Sequence, residues 1–247
     1  MTIEQAVRAA VVSRVERDPD RYLSEYTLRF GNVLNADSAA TLFAEYNDDP
    51  ARYRVAVHPA VQWIRDELFR RALAEKGRDR VVFTAGGNAA GKSTAISFSG
   101  AAGHSAAAVL DSTFSNYEHA HGLIEQATNA GKKITVLYVN RPLDDALLAM
   151  LERARGEGRI VTLSQLTGSQ RGAAETVRAL WDRYGGRPDF AFRFFDNSPA
   201  TFREGGVEFA VPEAYNESRK TLADILETEY KAGRVSEATC RRVKGGG

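Results

Sequence analysis

The chain has 247 residues, 43% of them hydrophobic and 26% charged, with a net charge of +1. That is the mix of a soluble globular protein able to bury a sizeable core, in one domain or in one domain with an appendage. The balanced charge excludes a global positive field that would recruit nucleic acid or an anionic membrane. The single cysteine, Cys240, excludes an intrachain disulfide and a cysteine metal cluster.

Met1 to Asp18 alternates apolar and charged residues and lacks the apolar core of a secretory leader. No apolar run reaches about 18 residues, so no spanning helix is expected. A reducing, cytoplasmic setting fits, with delivery into a target cell left open. Up to about Gly77 the chain reads as helical. Ala6, Ala9, Ala10, Val12 and Val15 form a rough helical stripe, and Ser38 is placed to cap a helix over Ala39–Ala44. Asn35-Ala36-Asp37 reads as turn and cap. Val61, Ile64, Leu68 and Ala72 recur at helical spacing after Pro59, which suits a first helical turn.

The pattern then changes. Short apolar, β-rich runs lie at Val81–Thr84, Ala106–Leu110, Ile134–Val139 and Phe190–Phe195, and a fifth strand is expected at Val207–Val211. Helical stretches separate them, about Lys92–Gly100, Asn116–Ala130, Leu143–Arg155 and Leu163–Tyr184. A helix over Pro212–Lys231 and a short one within Val235–Val243 complete the chain. Strands alternating with helices predict an α/β fold, a mostly parallel sheet covered by helices on both faces. The expected division is a helical extension at 1–77, a core at 78–233 and a tail at 234–247.

Gly86-Gly87-Asn88-Ala89-Ala90-Gly91-Lys92-Ser93 matches the Walker A pattern, with a predicted strand before it and a helix after it. Its glycines let the backbone turn tightly and aim N–H groups at phosphate oxygens. The helix N-terminus adds positive potential. Lys92 is expected to reach the outer phosphates of ATP, Ser93 to offer a hydroxyl to Mg²⁺, and Thr94 to donate to a phosphate oxygen. The second element is Asp111, at the end of its predicted strand. It either accepts the proton of an attacking hydroxyl and helps hold Mg²⁺, or merely caps the next helix. The third is the basic segment Arg153, Arg155 and Arg159, with Arg171 beyond. Such cations either close over the transferring phosphoryl group or form a solvated helix end.

These pieces together resemble the zeta-toxin-like P-loop kinases, over roughly Arg80 to Asn197. The matching stretches are Val82–Thr94, Val109–Asp111, Tyr138–Pro142, Arg153–Val161 and Phe195–Ser198. The resemblance implies a P-loop NTPase three-layer fold and a phosphotransferase acting on an alcohol group. It implies Asp111 as base, UDP-N-acetylglucosamine as acceptor, action as a toxin and an antitoxin partner that blocks the ATP site. Related kinases act on other nucleotides, NAD among them. The family often has a second acid two residues after its base and then an arginine. Here those places hold Thr113 and Ser115.

Other residues point less sharply. His119 and His121 are two apart on a predicted helix and so face different ways, which argues against a metal pair. Trp63 and Trp181 read as core. Asp37, Tyr117 and Glu118 are candidates for the acceptor pocket, and Asp196–Pro199 reads as a loop that could flank the adenine. Two further functions stay open. One is a polynucleotide kinase, against which the near-neutral charge argues. The other is an ATP-gated interaction module without turnover, motivated by the 77 N-terminal residues.

Overall fold

The computed structural model describes residues 1–103, 105–157, 160–198, 201–210 and 215–245. α1 (Ile3–Arg17) starts at Thr2, whose hydroxyl accepts the Gln5 N–H while the Gln5 side chain accepts the Thr2 N–H. This reciprocal cap fixes the first turn. α2 (Pro19–Phe30) follows, and then a strand that no apolar run announced, β1 (Val33–Asn35). Two single-turn helices come next, α3 (Ala36–Ala40) and α4 (Ala44–Asp48), and then the long α5 (Pro50–Ala74). The cap of α3 is Asn35 rather than Ser38. Its side-chain oxygen accepts the N–H groups of Asp37 and Ser38 at 2.7 and 3.1 Å. Asp49 caps α5 by accepting the Arg52 N–H, so Pro59 lies inside the helix and not in its first turn. Trp63, on α5, is 42% exposed and is not a core residue.

From β2 (Arg80–Ala85) the alternation is regular. It runs through α6 (Lys92–Ser99), β3 (Ala106–Asp111), α7 (Tyr117–Asn129), β4 (Lys133–Asn140), α8 (Leu143–Glu157), α9 (Leu163–Tyr184) and β5 (Phe190–Ser198). The next strand is β6 (Thr201–Gly205), and Val207–Phe209 is a 3₁₀ turn instead of the expected strand. The Gly205-Gly206 pair ends the strand, and the Gly206 N–H turns inward to the Glu208 carboxylate at 2.9 Å. Val211 lies outside the described residues. α10 (Tyr215–Lys231) and α11 (Glu237–Lys244) close the chain.

The six strands form one sheet in the order β1-β3-β2-β4-β5-β6. All pairs are parallel except β5 with β6. One face carries Val81, Phe83, Leu110, Val136 and Tyr138 and packs with residues of the N-terminal helices, α7 and α9. The other carries Val82, Val109, Leu137 and Val139 and packs with Ala95 and Ile96 of α6. Successive residues of a strand point to opposite faces, so runs buried on both sides read as continuous apolar stretches. This is the doubly covered α/β architecture of P-loop proteins. Among the described residues no helix is long and apolar enough to cross a membrane.

β1 is fixed by a tyrosine. The buried Tyr26 hydroxyl donates to the Val33 carbonyl at 2.7 Å and accepts the Asn35 N–H at 2.8 Å. Burial is the main cause that pushes its pKa up to about 12. The folded state therefore holds this proton more tightly than the unfolded chain, and its contribution to stability fades as pH rises from 10 towards 12. Tyr26→Phe leaves the Asn35 N–H without its partner. Chemical denaturation should show a loss of about 1–3 kcal/mol.

Candidate active site

Parallel strands put their carboxyl ends on one edge of the sheet, where open α/β folds bind ligands. At or just beyond that edge stand Asn35, Gly86, Asp111, Arg141 and Asn197.

The loop between β2 and α6 is tightly constrained. Gly86 has φ +139°, and a Cβ there would lie 2.6 Å from the Val139 carbonyl oxygen. Gly91 has φ +98°, and its Cβ would collide with the Asn197 side-chain amide. Ala89 takes the left-handed conformation at φ 60°. Three elements tie the loop in place. The Asn88 N–H and side-chain amide donate to Ser169 Oγ of α9 at 3.0 and 2.9 Å. Arg141 Nη1 donates to the Ala89 carbonyl at 3.1 Å, and Asn197 Nδ2 to the Ala90 carbonyl at 2.8 Å. Gly91→Ala combines a strained φ with that collision. It should cost about 1–3 kcal/mol of stability and weaken nucleotide binding, as read by thermal unfolding with and without ATP.

Lys92 Nζ donates to the carbonyls of Gly86 and Gly87 at 3.1 and 2.9 Å, so its ammonium arches back over the loop. Ser93 and Thr94 are exposed in the first turn of α6. Their backbone N–H groups have no partner among the described residues. Open N–H groups at a helix start, a lysine over them and two free hydroxyls are the donor set a polyphosphate needs.

Asp111 is held from two sides. β1 pairs with β3 so that Asn35 sits opposite Asp111. Asn35 Nδ2 donates to Asp111 Oδ2 at 2.6 Å, and the buried Thr84 hydroxyl donates to Oδ1 at 2.9 Å. Asn116, not Asp111, caps α7. Asn35 thus caps α3 with its oxygen and orients Asp111 with its nitrogen. Asn35→Ala removes both roles, and turnover should fall roughly tenfold to a hundredfold. Asn35→Asp keeps the cap but replaces the donor to Asp111 Oδ2 with a second carboxylate, so turnover should fall while α3 stays intact.

A cavity of about 560 Å³ joins these groups. It is lined by loop residues Asn88–Ser93, by Asp111 to Thr113, and by N-terminal residues including Asn35, Asp37, Ser38 and Tyr46. Arg153 of α8 also lines it. Arg155 does not. It donates to the Arg234 carbonyl at 2.8 Å and to Glu152 at 2.6 Å, and it lies 3.9 Å from Glu229. Residues two apart on a helix point about 200° apart, so the helix that aims Arg153 at the cavity aims Arg155 at α10 and the turn that follows it. Arg159 lies outside the described residues. Arg171 pairs with Glu175 at 2.6 Å and is not among the lining residues. Tyr117 stacks on His121 and also lies off the cavity, as does Glu118. No metal-ligating cluster of three occurs among the described residues. Asp196–Ser198 belongs to β5 and is not a loop. Thr84, Arg141 and Asn197 lie within stretches that resemble the family and Asn35 in the expected turn and cap, but what their side chains hold is seen only in the fold, and Ser169 belongs to no motif.

The sheet order and the loop between a central strand and its helix place the protein in the P-loop class of α/β folds. A family model described as Zeta toxin matches residues 99–189. The resemblance to that family, read above from motifs, is thereby shown over a stretch that includes Asp111 and Arg153. The glycine loop lies outside this stretch, so loop and match are independent observations. No curated protein matches the sequence. Three crystal structures of AvrRxo1-ORF1 with AvrRxo1-ORF2 are similar in fold. The native complex is 16% identical, covers 82% of this chain and 89% of that chain, and has a TM-score of 0.48. The complex with sulphate ions is 17% identical, with coverage of 81% and 88% and a TM-score of 0.42. The complex with ATP is 14% identical, with the same coverage and a TM-score of 0.43.

Proposed function

We propose that the protein is an ATP-dependent kinase that phosphorylates a hydroxyl of a small nucleotide-type metabolite. The observation that carries this reading is one cavity holding Lys92, Ser93 and an oriented Asp111. The open N–H groups of α6 and the Lys92 ammonium bind the phosphates of ATP. Lys92 exchanges the Gly86 and Gly87 carbonyls for phosphate oxygens as it does so. Asp111 accepts the proton of the acceptor hydroxyl as that oxygen bonds to the terminal phosphorus. The bond from that phosphorus to the bridging oxygen breaks, and ADP leaves. Arg153 stabilises charge on the transferring group. Ser93 and Asp111 are the residues that would hold Mg²⁺, which when bound neutralises phosphate charge.

The N-terminal extension, 1–77 in this reading, supplies one wall of the acceptor pocket to the core at 78–233. UDP-N-acetylglucosamine is the acceptor implied by the family resemblance, as are action as a toxin and a blocking partner protein. NAD-type and polynucleotide acceptors are the alternatives. The test is mass spectrometry of a cell extract incubated with ATP, Mg²⁺ and the protein. A single new species heavier by one phosphate names the acceptor. ATP binding with no new species from any extract overturns the kinase reading in favour of an ATP-gated interaction module.

A further inference from the structure

A second groove, of about 830 Å³, opens beside the cavity and shares Asn88 and Thr113 with it. Three of the residues lining it carry or can carry positive charge: Arg8 from α1, and Arg54 and His58 from α5. No acid lines it among the described residues. Of the acids on the elements that carry Arg8 and Arg54, Glu4 of α1 pairs with Arg52 at 2.8 Å and Asp49 caps α5. Arg8 and Arg54 have no acidic partner among the described residues. His58 is 3.0 Å from the Gln62 side chain. The floor adds the hydroxyls of Thr113 and Ser115, 3.1 Å apart, and the side chain of Ser169.

We propose that this groove binds the phosphate or diphosphate group of the acceptor, with Arg8 and Arg54 as its principal ligands. The proposal rests on the kinase reading for the word acceptor, and it gives that acceptor a chemical class. Guanidinium groups match phosphate oxygens in a bidentate fork, and an acid-free lining leaves their field uncompensated. The phosphates of ATP have their own place at the start of α6. The groove instead adjoins the cavity at Thr113, two residues past Asp111. An acceptor lying across Thr113 has its hydroxyl at Asp111 and its anionic part between α1 and α5. Thr113 and Ser115 suit this arrangement, because a carboxylate at either position would repel the anion.

The probe is inorganic pyrophosphate, titrated by calorimetry into the full chain whose ATP site is filled with a non-hydrolysable ATP analogue and Mg²⁺. One binding step is expected for the wild type. The doubly substituted variant Arg8→Ala/Arg54→Ala should bind pyrophosphate about tenfold more weakly or worse. Its affinity for the ATP analogue and its thermal midpoint should be unchanged, since both side chains are exposed. Absence of the step in the wild type, or equal binding by the variant, overturns the proposal. Weakened binding of the ATP analogue by the variant also overturns it, by assigning the groove to ATP. Pyrophosphate binding that persists in a protein transferring no phosphate to any hydroxyl leaves the groove standing and sinks the kinase reading alone.

Discussion

Asp111→Asn should lower phosphoryl transfer by about 10²–10⁴-fold while ATP binding stays near wild type. The substitution is nearly isosteric. The new amide oxygen still accepts from Asn35 Nδ2, and its NH₂ faces the Thr84 hydroxyl, which already accepts the Ser112 N–H at 3.0 Å. Folding is therefore retained, and only the capacity to take a proton is lost. The measurement is single-turnover transfer together with ATP affinity by titration. Transfer at the wild-type rate would remove Asp111 from the chemistry and leave it as a strut between β1 and β3.

Lys92→Ala should reduce transfer by roughly 10²–10³-fold, and unlike Asp111→Asn it should also weaken ATP binding. In the structure the ammonium donates to the Gly86 and Gly87 carbonyls at 3.1 and 2.9 Å, and it stands where phosphate charge would arrive. Alanine leaves α6 intact, since it is the best helix former. Thermal unfolding without nucleotide should be little changed, and the stabilisation by added ATP should shrink. An unaltered ATP-induced shift would show that the loop does not hold the phosphates.

The two variants probe parts of the site that differed in how visible they were in the sequence. The glycine loop is a local motif, and its residues sit where the pattern put them, between β2 and α6. The apolar runs of β2 to β5 were equally plain, because a strand buried on both faces has no polar interruptions. β1 was not visible. Three residues make no period, and Val33-Leu34-Asn35 is a strand only because β3 lies beside it. Asn35 was legible as a cap, and Thr84 and Asn197 lay in motif stretches, but their hold across the fold on Asp111 and the loop was not visible. Arg153 and Arg155 looked equivalent in sequence, and helix geometry alone separates them. Pro59 misled because a proline in a first turn and one inside a helix leave the same mark, and only the Asp49 cap tells them apart.

The strand order has a consequence for when the site comes into being. β1 is made first and β2 next, yet β3 must enter between them before β1 has anything to pair with. Asn35 and Asp111 are 76 positions apart, so their contact waits on a long loop closure. The loop at Gly86–Ser93 waits longer still, because Arg141, Ser169 and Asn197, which tie it in place, are all made after Asp111. In the order of synthesis the two halves of the site meet only once β5 has joined the sheet, and a chain ended before Asn197 leaves the loop without its last tie.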